Sequence, residues 1–127
     1  MVYSETLMDC FLNPTHGGVL ENADGVGHAG GGKCGDVLTF YVRVKHGTIT
    51  RVRYEAYGCA PALASAEMGA KLLEGQPVDT DLSDWDVRVE QALGGLPPEK
   101  SHCPRLVREG LQEAIQDYKS HKHKKEK

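Results

Sequence analysis

Three of the cysteines in this chain stand where a fold could bring them together. Cys34 lies in Lys33-Cys34-Gly35-Asp36, Cys59 in Tyr57-Gly58-Cys59-Ala60-Pro61, and Cys103 in Ser101-His102-Cys103-Pro104. Thiolates are soft metal ligands and are the nucleophilic form of cysteine. His102 adds a nitrogen beside them and Asp36 a hard oxygen. A sulfur-rich set of this kind points to zinc or to iron–sulfur chemistry. A purely structural zinc site usually brings close C-x2-C pairs, and the sequence has none. The wide spacing instead suggests a surface site assembled by the fold.

The elements needed to assemble it can be read from periodicity. Tyr3–Leu12 predicts a short helix, with Tyr3, Leu7, Met8 and Phe11 on one face and Asn13-Pro14 as its stop. A glycine-rich segment, residues 15–33, follows, with one short strand expected around Val26–Ala29. Val37–Lys45 and Ile49–Tyr57 alternate apolar and polar residues as strands do, and His46-Gly47 between them predicts a tight hairpin turn. The period then changes. Ala60–Glu74 reads as a helix stopped by Gly75. A short helix is expected to follow, capped by Ser83 and Asp86 and ended by Gly94-Gly95. Pro97-Pro98 predict a rigid, extended approach to a last helix from about Pro104 to Tyr118. The expected architecture is one α+β domain over residues 1–127. It has a small antiparallel sheet of about three strands, packed against an N-terminal helix and several C-terminal helices. Residues 119–127 are expected as a disordered tail.

On this map Cys34 precedes the first long strand, and Cys59 and Cys103 stand at helix starts marked by proline. Unpaired amides and the helix dipole favour an anion there. Both thiols are therefore expected below the ordinary value of ~8.5. Neighbouring side chains diverge, so His102 and Cys103 need not hold one ion together. Cys10, inside an amphipathic helix, reads as a small buried hydrophobe. His16, His28 and His46 read as surface residues without partners. The glycines of residues 25–35 are not followed by Gly-Lys-Ser/Thr, which excludes a phosphate loop.

The remaining composition narrows the class. A net charge of −3 gives no reason to expect nucleic acid as a partner. No apolar run reaches the length of a membrane span. The first residues, MVYSETLMD, lack the basic and apolar regions of a secretory signal. A cytoplasmic protein with reduced thiols is expected, which favours metal binding over disulfides.

At these residues the sequence closely resembles the IscU-type iron–sulfur cluster assembly scaffolds, the family that includes the N-terminal domain of NifU. The resemblance runs from Tyr3-Ser4-Glu5 to Asp117-Tyr118. It is carried by Asn13-Pro14, Asp24-Gly25-Val26-Gly27, Cys34-Gly35-Asp36, Tyr57-Gly58-Cys59-Ala60 and Leu96-Pro97-Pro98-Glu99-Lys100-Ser101-His102-Cys103. What it implies is a non-enzymatic scaffold. Such a scaffold accepts persulfide sulfur from a cysteine desulfurase, combines it with iron and with electrons from a ferredoxin-type donor, and passes a transient [2Fe–2S] cluster to recipient apo-proteins. The family's ligands match Cys34, Asp36, Cys59, His102 and Cys103, with Cys103 as persulfide acceptor and zinc able to occupy the same site. Glu99 stands where many bacterial members carry the valine of a Hsp70-type chaperone motif, so chaperone handling is left open, as is a homodimer. The alternative is a zinc-binding sulfurtransferase. The residues themselves favour a carrier. A carboxylate oxygen holds iron softened by sulfide less firmly than a fourth thiolate would, so a cluster held partly by Asp36 is easier to release.

Overall fold

The alternation that begins at Val37 places Leu38, Phe40 and Val42 on one face of a strand, and all three are fully buried. A computed structural model describes residues 3–31 and 35–125. It arranges them as α1 (Glu5–Leu12), β1 (Gly25–Gly30), β2 (Val37–Lys45), β3 (Thr48–Tyr57), α2 (Ala60–Leu73), α3 (Trp85–Ala92), a single 3₁₀ turn at Pro98–Lys100, and α4 (His102–Lys125). The strands form one antiparallel sheet in the order β1-β2-β3. The expected α+β architecture is therefore the one observed. His46 and Gly47 turn the β2–β3 hairpin with φ of 53° and 75°, the left-handed pair that a two-residue turn requires.

One face of the sheet carries the helices. Phe40, Val42, Val52 and Tyr54 meet Leu73, Val107, Leu111 and Ala114 in a single core. α4 lies unusually close to β1. A Cβ at Gly25 or Gly27 would collide with the α4 backbone around Gly110 and Ala114, so these strand glycines exist to let the helix settle. α2 is buried nearly all round, which explains its small residues.

Both edges of the sheet are closed. On β1 the outward amides of Val26 and His28 donate to Asp117 Oδ2 at 2.9 Å and Glu113 Oε1 at 3.3 Å, both from α4. On β3, Ile49 N donates to Gln76 O at 2.9 Å and Tyr54 N to His16 O at 3.0 Å. Between them Val52 N donates to Glu74 Oε2 at 2.9 Å.

Several expectations change. His16 is not a partnerless surface residue. Its Nδ1 lies 2.7 Å from Glu67 Oε2 and its Nε2 lies 3.0 Å from Glu74 Oε1. Glu67, fully buried within α2, also accepts from Thr15 N, Thr15 Oγ1, His16 N and Tyr54 Oη at 2.9–3.1 Å. The start of the glycine-rich segment is thereby tied down. α1 begins at Glu5, with Ser4 as its N-cap accepting from Leu7 N at 3.0 Å. Ser83 does not cap α3. Its amide donates to Asp81 Oδ1 at 2.9 Å, and Asp84 is the N-cap. The carboxylate two residues back competes successfully for that amide. α4 starts two residues before Pro104 and continues to Lys125, through most of the expected tail. Cys10 is buried in the core, as expected of it. Among the described residues no helix is long and apolar enough to cross a membrane.

Candidate metal centre

The β2–β3 register sets Val37 opposite Tyr57. One step beyond the ladder, Asp36 and Gly58 face one another, and Cys59 follows directly. Cys59 is the N-cap of α2, in extended geometry, with proline in the first turn behind it. The third component comes from the far end of the chain. Pro97 is extended (φ −56°, ψ 143°) and the 3₁₀ turn Pro98–Lys100 leads into α4. His102 and Cys103 are the first two residues of that helix.

These elements bring a carboxylate oxygen of Asp36, Cys59 Sγ and Cys103 Sγ within 4.8 Å of one another. His102 joins them. Its Nε2 lies 3.1 Å from Asp36 Oδ2 and 3.7 Å from Cys103 Sγ. His102 and Cys103 do not diverge as expected, although His102 stands outside the group that closes within 4.8 Å. Cβ atoms tilt toward a helix's N-terminus, so in the first turn both side chains reach past the helix end into the same space. Cys34, the fifth residue expected here, lies outside the described residues.

Burial grades the site. Cys103 is fully buried, Asp36 nearly so, and Cys59 is partly open. The expected lowering of the Cys103 thiol pKa is also overturned. Burial first, then the nearby Cys59 and Asp36, push it from 9.0 up to about 12, with only Lys100 acting against them. Desolvation and adjacent negative charge outweigh the helix dipole, whose effect on a neighbouring charge is typically under ~1 kcal/mol. Lys100, which sequence reasoning treated only as part of a motif, stands against Cys59 and has its own pKa raised, chiefly by that thiol.

The donor set fits a cation. Two thiols and a carboxylate this close cannot all carry charge unless protons or a positive ion sit among them. Two sulfurs with a nitrogen and an oxygen suit zinc or iron at tetrahedral geometry. A soft ion among Cys59, Cys103 and Asp36 would have His102 beside Asp36 and Cys103 as a further donor.

Residues 2–125 match the family described as NifU-like N terminal domain. The chain is 41% identical over 118 residues to the iron-sulfur cluster assembly scaffold protein IscU of Aquifex aeolicus, covering 91% of this chain and 75% of the relative. It is 39% identical over 117 residues to the iron-sulfur cluster assembly scaffold protein IscU 1 of Archaeoglobus fulgidus, covering 92% and 76%. In fold it is similar to the N-terminal part of a nitrogen-fixing NifU-like protein from Brucella abortus, with a TM-score of 0.72 and 20% identity over 92% of this chain and 94% of the other. Matched along nearly its whole length, with the Asp-Cys-His-Cys cluster at one end of its sheet, the chain belongs to the NifU-like N-terminal domain family of IscU-type proteins.

Proposed function

We propose that this protein is a scaffold on which [2Fe–2S] clusters are built and from which they are handed on. The observation that carries the proposal is the convergence of Asp36, Cys59 and Cys103 within 4.8 Å, with His102 against them, in a chain whose relatives are named as cluster assembly scaffolds. Each tetrahedral iron of such a cluster needs two terminal ligands beside its bridging sulfides. Cys34, Cys59 and Cys103 supply three of the four, and Asp36 or His102 supplies the last. A cluster held by four thiolates and buried suits storage or electron transfer. An oxygen or nitrogen at one corner, at the protein surface, suits delivery.

Sulfur arrives as the outer sulfur of a persulfide on a cysteine desulfurase. Cys103 passes its proton to His102 Nε2, 3.7 Å away, and attacks that sulfur as thiolate; the S–S bond breaks and the desulfurase thiolate leaves, so Cys103 carries the persulfide. Reducing each sulfane sulfur to sulfide takes two electrons, which assigns a ferredoxin-type donor to the reaction. Because Cys103 is buried, its partners must first open the side held by the His102–Asp36 contact. Recipient apo-proteins then collect the cluster at the same end. Zinc fits the same donor set as a stand-in for iron. The cytoplasm, where thiols stay reduced, suits this chemistry. An Hsp70-type chaperone would find Pro97 buried and Pro98–Lys100 coiled, so it could read that segment only after local unfolding.

The test is anaerobic reconstitution with iron, cysteine and a desulfurase, followed by visible absorption and by transfer to an apo-ferredoxin. A transferable cluster is expected. Tight zinc with persulfide turnover and no cluster would instead mark a zinc-binding sulfurtransferase. Mass spectrometry after brief exposure to the desulfurase should find extra sulfur mainly on Cys103, and sulfur chiefly on Cys34 or Cys59 would overturn that assignment.

A further inference from the structure

Gly58 is an exposed residue on the strand-to-helix turn, and its φ lies outside the left-handed region. Its backbone would therefore accept any L-residue. Its surroundings would not. A Cβ placed there would fall well inside contact distance of Asp36 Oδ1, 3.0 Å from Asp36 Cγ and 3.3 Å from Ala62 Cβ. The missing side chain is the space that the Asp36 carboxylate occupies.

Nor could the backbone beneath the carboxylate retreat. The Asp36 carbonyl accepts from Gly31 N at 2.9 Å, and a Cβ on Gly30 would strike that same carbonyl. The backbone of Asp36 is thus pinned from one side while its side chain lies over Gly58 on the other. The antiparallel register, with Val37 opposite Tyr57, makes Asp36 and Gly58 facing neighbours. Facing Cβ atoms in such a pair come within about 4.5–5.5 Å, so the arrangement follows from the ladder.

We propose that Gly58 is a positioning residue that sets where the Asp36 carboxylate meets the metal site, and thereby sets how firmly the site holds its ion. The proposal rests on Asp36 being a ligand, as argued above. A methyl at position 58 forces the carboxylate to swing aside by roughly an ångström. That moves it off His102 Nε2, now 3.1 Å away, and out of the group with the two thiols. Gly58→Ala should then behave as though the Asp36 side chain had been withdrawn.

The experiment is cobalt(II) titration of the purified apo-protein under anaerobic conditions, read by the sulfur-to-cobalt charge-transfer band and the ligand-field bands. Unaltered protein is compared with Gly58→Ala, Asp36→Ala and the double variant, with folding checked by circular dichroism. Gly58→Ala is expected to weaken cobalt binding at least tenfold and to shift the ligand-field bands as Asp36→Ala does. In the double variant the methyl no longer meets a carboxylate, so its affinity should equal that of Asp36→Ala within about twofold. A Gly58→Ala protein that binds like the unaltered one overturns the proposal. So does an equal further loss on the Asp36→Ala background, which would mean the glycine serves the fold and not the carboxylate. If Gly58→Ala does not fold, a folded double variant supports the clash and an unfolded one overturns it. If Asp36→Ala itself leaves cobalt binding and bands unchanged, Asp36 is no ligand. That outcome removes the ligand assignment and with it the positioning role, and is distinct from failure at Gly58 alone.

Discussion

Two carboxylates are buried among the described residues, and they are served very differently. Glu67 receives five donors from Thr15, His16 and Tyr54. Asp36 receives His102 Nε2 on one oxygen, and among the described residues no donor reaches its other oxygen, which lies over Gly58. Burying a charge is costly unless its lone pairs are filled. At Glu67 hydrogen bonds within the chain meet that cost, and the result is structure: a loop fastened to a helix and a sheet edge. At Asp36 the chain supplies one donor, His102, and sets two thiols beside it. A carboxylate whose oxygens are filled by the chain holds the protein together, whereas one with an oxygen left over can meet something from outside.

The sharpest way to break this contrast is to remove each group in turn. Glu67→Ala strands buried donors, so it should cost about 3–5 kcal/mol. Thermal unfolding would show this as a fall in Tm of ten degrees or more, at roughly 2–8 °C per kcal/mol for domains near this size. Asp36→Ala removes a single side-chain hydrogen bond, so it should change stability by about 1 kcal/mol or less. Equal losses would erase the distinction.

The pH dependence of stability should divide along the same line. Burial alone would raise the Glu67 pKa, but the bonds from His16, Thr15 and Tyr54 outweigh it and hold it below its ordinary 4.5. A depressed acid contributes stability that is present above the unfolded value and lost as pH falls through the folded one. Denaturant titrations should therefore show an acid limb below about pH 4.5 that flattens in Glu67→Gln. Cys103 has the opposite sign. Its pKa rises from 9.0 to about 12, so its contribution is complete below 9 and is lost as pH climbs toward 12. Tyr41, held up to about 12 by its bond to Glu55, titrates in the same window, so the comparison is best made in a Tyr41→Phe background. There Cys103→Ser should remove about one proton's worth of alkaline slope.

Cluster delivery supplies a gentler test. At matched initial loading, Asp36→Cys gives the cluster a fourth thiolate and should slow transfer to apo-ferredoxin by about tenfold, or ~1.4 kcal/mol of barrier. Asp36→Ala should slow it less. Transfer by Asp36→Cys at the unaltered rate would show that lability lies elsewhere. The smallest effect belongs to Cys10. Buried in the core and not among the grouped ligands, it should become alanine with a stability loss near 1 kcal/mol and no change in reconstituted cluster yield. A loss of yield like that of Cys59→Ala would make it a ligand.

What could be read in the sequence follows the range of the interactions. Alternation places Leu38, Phe40 and Val42 inside, and His46-Gly47 announces its own turn, because both are local rules. That Asp36, Cys59, His102 and Cys103 come together was legible through types that are seldom idle at the ends of elements. Glu67 left a trace that was passed over: it is one acid among Ala62, Ala64, Ser65, Ala66 and Met68, on a helix with no polar face to hold it. Its partner His16 was beyond reach, because nothing in the sequence ties residue 16 to residue 67. The high pKa of Cys103 was hidden for a related reason. Proline and a helix start are visible in one dimension, but depth is not. The length of α4 escaped because Lys and Glu favour helix even where they look like a solvated tail.

The closed edges of the sheet bear on how such a molecule can work in company. Strand edges are the least discriminating adhesive a protein has, since any extended backbone can pair with them. A carrier that must meet a supplier, a reductant and a client in succession has to let go of each. Here Asp117 and Glu113 occupy the amides of β1, while Glu74, Gln76 and His16 occupy those of β3. On the proposed function, encounters would then fall to the end of the molecule where the thiols lie, and the lifetime of each visit to the side chains there.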